Sequence, residues 1–322
     1  MGLRSNNFTG ESDPDPRDRQ SLHLGRTGAL VIVESQARRM TRTLAAYMVV
    51  ALFVFPLYFW ATTAFKNAKD IFNTPPTVWV FEPTLRNFEE VFGISLGFFR
   101  QQEVLPGGGN FFMAPRLWDS IVVALGSTLL SVIVATLAGY SLSRMDFRFR
   151  HLFVGWVLST RMMPPVAVAI PMFFIYKDIG LLDTYTGIIL IHAVMNLPLA
   201  VLLLKSFFDD IPRDIDECAM IDGASRWIIF RRIVLPMARG GVAATAVLCF
   251  IFSWTEFIFV LTLTQTGLKT VPVVSSSFVT STGTAWGNMA ALGVAATAPA
   301  FLFILLVQKQ LVRGLTLGSL KE

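Results

Sequence analysis

Four ionisable side chains sit within long apolar runs of this 322-residue sequence: Arg161, His192, Glu256 and, near one end of its run, Asp119. Such groups are costly in lipid and are kept for ion relays, cavities or pairing between helices. A proton relay calls for paired acids, and these four positions offer none. Of the three histidines, His23, His151 and His192, only the last lies in an apolar run, where it reads as a packed, hydrogen-bonded side chain. The histidines are too scattered to hold a metal, and Cys218 and Cys249 have neither ligand spacing nor an oxidising setting that favours a disulfide. The segment "TGLKT" at 266–270 lacks the upstream glycine and the adjacent Gly-Lys that wrap a phosphate. The chain is therefore expected to hydrolyse no ATP and to carry no cofactor.

The densest charge lies elsewhere. Residues 209–236, DDIPRDIDECAMIDGASRWIIFRRIVLP, hold six acids and four arginines between two apolar runs. Pro212 suits the first turn of a helix, with Asp209 or Asp210 just ahead to cap it. Ile215, Cys218, Ala219 and Ile221 then fall near one face, Arg213, Asp214, Asp216 and Glu217 supply charge, and Gly223 supplies a stop. A second helical segment over 224–235 places Trp227, Phe230 and Ile233 on an apolar stripe, and Pro236 marks the turn back. The product is a short amphipathic helix in a loop, small enough to seat in another protein's cleft.

The elements around it are set by composition. The sequence is 53% apolar and 15% charged, against roughly 25% charged in a soluble domain, so the fold class is an all-α membrane protein. A bilayer needs about 20 mostly apolar helical residues, and six runs qualify: Leu44–Phe65, Trp118–Ser141, Leu152–Tyr176, Tyr185–Leu204, Gly241–Thr264 and Asn288–Val307. With the N-terminus inside, the cytoplasmic segments 1–43, 142–151, 205–240 and 308–322 hold nineteen Lys and Arg, against seven in the outer segments. The positive-inside rule then makes both termini cytoplasmic and puts the 205–240 loop inside. The same asymmetry accounts for the net charge of +5 without nucleic acid, and no basic patch with interleaved aromatics is present. Residues 1–43, broken by proline and glycine, read as a flexible tail with no cleavable signal, and 44–322 as the transmembrane domain.

Spacing within the loop adds a family. Glu217-Cys218-Ala219, three residues, Gly223, nine residues, then Ile233-Val234-Leu235-Pro236 resembles the E-A-A-x3-G-x9-I-x-L-P loop of bacterial ATP-binding-cassette (ABC) importer permeases, with Cys218 in place of an alanine. "GLLDTYTGIILIHAVMNLPLAVLLLKSFFDDIP", "FSWTEFIFVLTLT", "KTVPV", "WGNMAA" and "QKQLVRGLTLGSLKE" are similar to landmarks of its carbohydrate branch, which includes the maltose permeases. Thr255 stands where that branch often has asparagine.

The resemblance implies a type I importer permease fold of six transmembrane helices with a cytoplasmic coupling helix over 212–224. It implies that Glu217, Cys218, Ala219, Asp222, Gly223, Ala224, Leu235 and Pro236 meet an ATPase subunit. The implied partners are a second homologous permease, two ATPase subunits holding ATP and Mg, an extracytoplasmic solute-binding protein and a sugar-type solute, all at the bacterial inner membrane. The 52-residue outer segment Lys66–Leu117 is long enough to touch the binding protein. Pro164, Pro165 and Pro171 mark a kink in the third run beside the pathway, where Trp254, Glu256 and Asn196 are further candidates. Trp254 and Glu256 lie about 200° apart on a regular helix, so both face one cavity only if that helix is distorted. The competing reading is a secondary carrier or channel for a small polar solute.

Overall fold

The computed structural model describes residues 22–24, 30–32, 36–75, 77–93, 113–281 and 283–318. The chain divides into two units, Met1–Trp60 and Ala61–Glu322. In the first, β1 (Leu22–Leu24) pairs antiparallel with β2 (Leu30–Ile32), Leu22 opposite Ile32. Helix α1 (Gln36–Thr63) follows. Its 28 residues reach about 42 Å, longer than a hydrocarbon core of about 30 Å. It starts eight residues before the apolar run at Leu44, so its first two turns are polar. The rest of the expected tail lies outside the described residues.

The second unit opens with α2 (Ala68–Ile71) and α3 (Arg86–Phe92), followed by α4 (Met113–Arg144), α5 (Arg150–Arg161), α6 (Pro165–Asp178) and α7 (Tyr185–Asp209). The loop then carries α8 (Asp214–Ile221), α9 (Arg226–Ile229), a π-helical turn (Phe230–Val234) and α10 (Leu235–Met237). After it come α11 (Arg239–Trp254), α12 (Ile258–Leu263), α13 (Val271–Ser276), the hairpin β3 (Val279–Thr280) with β4 (Gly283–Thr284), and α14 (Trp286–Gly318).

Among the described residues α1, α4, α7 and α14 are each long and apolar enough to cross a membrane. Two further pairs qualify jointly: α5 with α6, bent by 94°, and Arg226–Met237 with α11, bent by 74°. Counting each bent pair once gives up to six spans by length and composition, the second pair drawing its first arm from the 205–240 loop rather than from the expected run Gly241–Thr264.

Two of the apolar runs are not the continuous helices their length suggests. The third breaks over Met162–Pro164, because Met163 and Pro164 each precede a proline and are pushed out of the helical region. Pro164 is extended at φ −67°, ψ 128°, and Pro165 restarts the chain as the first residue of α6. The fifth stops at Trp254 and resumes at Ile258, with Phe257 at φ −121° between them.

Close packing of the central spans depends on small side chains. Ser127, Ser131, Ala135 and Gly139 recur every four residues on α4 and are buried, so α7 can approach closely. A Cβ on Gly139 would stand 3.0 Å from the Lys205 backbone nitrogen. Ser131 Oγ donates across the seam to the Ala193 carbonyl at 3.2 Å. Where α11 crosses α7, a Cβ on Gly241 would meet the Phe207 ring at 2.3 Å.

At the bundle end opposite the 205–240 loop, polar connections hold the short elements. Asn87 of α3 donates to the Ala64 and Lys66 carbonyls, both at 2.9 Å, and Asn288 of α14 donates to Glu90 at 2.9 Å. Asp183, in the left-handed region at φ 58°, accepts four backbone N–H groups from Gln265, Thr266, Gly267 and Leu268 at 2.9–3.3 Å. Burial alone would push its carboxyl up, but those four donors outweigh it and hold the pKa below the usual carboxylate value. Of the outer segment Lys66–Leu117, residues 94–112, including "LPGGGN", lie outside the described residues.

Candidate functional site

The loop joining α7 to α11 is built around α8. Arg213 precedes the helix, and its side chain does not cap it. Asp209, expected as a cap, is instead the last residue of α7 and pairs with Lys205 one turn back, while Asp210 follows as the α7 C-cap. The C-terminus of α8 ends as its glycine requires. Gly223 sits at φ 82°, its N–H bonds the Met220 carbonyl at 3.0 Å, and the Ala224 N–H bonds the Ala219 carbonyl at 3.0 Å. This is the paired 6→1 and 5→2 closure that a left-handed residue after a helix makes.

The faces of α8 differ from the sequence expectation. Asp216 and Ala219 are buried, with Ile215 packed beside them, whereas Cys218 and Ile221 point outward. The reason is an ion pair. Asp216 Oδ2 lies 2.5 Å from Arg144 Nε at the last residue of α4, and both side chains are about nine-tenths covered. Arg144 Nη2 also donates to the Ile211 carbonyl at 2.9 Å, and Arg213 Nη2 donates to the Ser143 carbonyl at 2.8 Å. The helix is thus pinned to the end of α4 by two guanidinium groups.

Aromatic packing makes the second attachment. Phe230, buried in the π-helical turn, packs 4.8 Å from Tyr140 of α4, which in turn meets Phe208 of α7 at 5.8 Å. Ser225 caps α9, accepting from the Ile228 N–H at 3.4 Å. Trp227, expected on an apolar stripe with Phe230 and Ile233, is 60% exposed, its ring 5.3 Å from that of Phe230 and tilted 35° to it.

What remains open to solvent is a mixed patch. Glu217, Cys218, Met220, Ile221, Asp222, Gly223, Trp227, Ile228 and Pro236 are exposed, while Ala224 and Leu235 are half-buried and Ala219 is buried. Ile221 is 85% exposed, an apolar side chain at the tip of an otherwise acidic helix.

The pathway candidates are placed by the two helix breaks. Glu256 lies in the gap between α11 and α12, where its carboxylate accepts the Phe259 N–H at 3.0 Å and the Val260 N–H at 3.3 Å, capping α12. Its Oε2 is also 3.2 Å from His192 Nε2. His192 Nδ1 is 2.7 Å from Ser253 Oγ, itself 2.5 Å from Ser127 Oγ. This buried chain ties α4, α7 and α11 together and meets the expectation of a packed, hydrogen-bonded His192. Asn196 is buried and donates to the Cys249 carbonyl at 3.2 Å, so it too joins α7 to α11.

Trp254 is half-buried and stacks on Phe250 at 5.4 Å, and Phe250 stacks on Phe303 of α14 at 4.2 Å. The distortion that Trp254 and Glu256 needed in order to share a side is present, since the helix ends between them. Pro165 is exposed at the other break. Cys218 and Cys249 are free thiols.

Sequence reasoning missed Arg144, Asp216, Ser127, Ser253 and Asp183 as structural partners. Arg144 lies three residues beyond the run Trp118–Ser141, and no spacing in the loop marks Asp216 rather than Asp214 or Glu217 as its partner.

Residues 127–317 match the family described as binding-protein-dependent transport system inner membrane component. The chain is 33% identical over 260 residues to the trehalose transport system permease protein SugB of Mycobacterium tuberculosis, covering 76% of this chain and 92% of that one. It is 31% identical over 290 residues to the trehalose/maltose transport system permease protein MalG of Thermococcus litoralis, covering 89% and 99%. Its fold is similar to that of a bacterial ABC transporter involved in the import of the acidic polysaccharide alginate, with a TM-score of 0.64 at 18% identity over 87% of this chain and 99% of that chain. With its family match spanning more than half its length, its pinned loop helix and its apolar spans, the chain belongs to the inner-membrane permease components of binding-protein-dependent ABC importers.

Proposed function

We propose that this chain is one permease subunit of an importer that takes up a sugar or related solute, driven by ATP hydrolysed on separate subunits. The observation that carries the reading is the patch on α8. An exposed Ile221 and Met220 beside Glu217 and Asp222 form an apolar tip with an acidic rim, on a helix held rigidly to α4 through Asp216 and Arg144. Such a helix suits an ATPase cleft, with Glu217, Cys218, Asp222 and Gly223 at the contact and Ala219, Ala224, Leu235 and Pro236 shaping its base. Motion of α8 would pass to α4 through the ion pair and to α7 through Phe230 and Tyr140.

The remaining parts of the reading follow from this one. ATP and Mg are held by two ATPase subunits, a second permease completes the pore, and a solute-binding protein delivers cargo from outside. The carbohydrate class is supported by the trehalose and trehalose/maltose relatives. Pro165 and Trp254 flank the solute pathway at the two breaks, while Glu256 and Asn196 fix the geometry around it.

Two results test this. The purified chain alone should hydrolyse no ATP, and expressed with its partner subunits it should leave the membrane in detergent as a complex whose hydrolysis rises with loaded binding protein. Solute uptake by the chain alone, with no bound ATPase, would favour the carrier reading. Orientation is read separately. Reporter fusions at Gly267 should score as external and at Arg148 as internal, as nineteen inner against seven outer Lys and Arg require. The inverted pattern would refute it.

A further inference from the structure

Arg161 belongs neither to the attachments of the loop helix nor to the buried chain through His192. It is the last residue of α5, at the break before α6, and it is exposed. Nη1 donates to the Met195 carbonyl at 3.2 Å, and the guanidinium lies over the Phe252 ring at 4.9 Å. Met195 stands 10 residues from the start of α7 and 14 from its end, roughly 15 and 21 Å at 1.5 Å per residue. The cation is therefore near mid-span. Among the described residues it has no ion-pair partner, and the carboxylate of Glu256 is already committed to His192 and the α12 cap.

A charged group at that depth cannot face lipid cheaply, and it either meets an opposite charge or lines a water-filled cavity. Its surroundings favour the cavity. The flanking Met162, Met163, Pro164 and Pro165 and the facing Phe252 are all exposed, and both chain segments are broken nearby, after Arg161 and after Trp254. Broken backbone at membrane depth is tolerated where it lines a cavity or is buried in protein. One guanidinium with donors to spare, set beside an aromatic ring, matches a planar or tetrahedral oxyanion on a ringed solute.

We propose that Arg161 lines the solute pathway and recognises an anionic group, a carboxylate, sulfonate or phosphate, on a carbohydrate cargo. This rests on the importer reading and names the cargo's charge within it. Phe252 supplies the apolar face against which the sugar ring lies.

The test uses the complete importer in vesicles with Met162→Cys or Met163→Cys as reporter, both positions being exposed, and subtracts the labelling of the parent chain, whose own thiols are Cys218 and Cys249. The anionic 2-sulfonatoethyl and cationic 2-trimethylammonioethyl methanethiosulfonates are applied to each. Both reporters should react, and Arg161→Gln should lower the anionic-to-cationic rate ratio about tenfold, the size of one unit charge acting a few ångströms away in a wet site. Arg161→Lys should retain the ratio. Glucuronate should protect Met162→Cys from the cationic reagent more than glucose does, and that difference should vanish with Arg161→Gln. Reporters inert to both reagents in an ATPase-competent complex, or a ratio unmoved by Arg161→Gln, would overturn the pathway role. Equal or absent protection by glucuronate would overturn the anionic cargo. Failure of the chain to assemble with an ATPase would instead strike the importer reading, and it is read from the complex before any labelling.

Discussion

Asp216→Ala is expected to destabilise the permease by about 3–5 kcal/mol, the cost of leaving one partner of a buried ion pair without the other. Arg144 would keep its bond to the Ile211 carbonyl but would face an apolar cavity where the carboxylate had been, with its side chain only 8% exposed. The loop helix would lose its ion pair to α4 and keep only the Arg213 bond to the Ser143 carbonyl and the Phe230 packing on Tyr140, so the ATPase should copurify poorly even from cells in which the chain is inserted. Melting of the detergent-solubilised complex measures the first effect and ATPase recovery the second. The double variant Arg144→Leu with Asp216→Leu should melt closer to the parent than either single variant, because no charge is left buried and unpaired. A single variant that melts with the parent would show that the pair contributes nothing to holding α8.

Gly223→Leu should leave the chain inserted while uptake and solute-stimulated ATP hydrolysis fall roughly tenfold or more. Two causes act together. A residue with a Cβ at φ 82° costs about 1–2 kcal/mol in the left-handed region, and a factor of ten is about 1.4 kcal/mol. The added side chain meets nothing in this chain, since a Cβ there has no atom within 4 Å. Its bulk therefore projects onto the surface proposed to meet the ATPase. Gly223→Ala carries nearly the same backbone strain with little bulk, so it should lose less activity than Gly223→Leu. Stimulated hydrolysis at the parent rate in a Gly223→Leu complex would remove this loop from the coupling contact.

These variants concern features that differ in how far the sequence alone discloses them. The stop at Gly223 is legible because it depends on residues within five positions, Ala219 to Ala224, and on one residue type that tolerates positive φ. The start of α7 at Tyr185 is legible for the same reason, with Thr184 just ahead accepting the Gly187 N–H at 3.1 Å. The apolar runs are legible because a bilayer demands a length and a composition, and both are written locally.

Tertiary structure decided the rest. Asp216 is 72 positions from Arg144, and nothing in the spacing of the loop distinguishes it from Asp214 or Glu217 until α8 lies against the end of α4. That placement turned Asp216 inward and Cys218 and Ile221 outward, because a buried charge must face its counter-charge whatever the helical stripe suggests. Glu256 read as a candidate for bonding solute, but its acceptors cap α12 and meet His192, a relation that exists only once the fifth run has broken and α7 lies beside it. The three prolines announced a disturbance in the third run. The 94° bend and the exposure of Arg161 beside it arise because α6 packs on α12 while α5 packs on α7. Local sequence therefore determined which segments cross the membrane and where the loop helix stops, since those depend on composition and short-range backbone bonding. Which charges are buried, paired or left facing a cavity was set by long-range packing, because burial and pairing are properties of neighbours that the chain brings together only when folded.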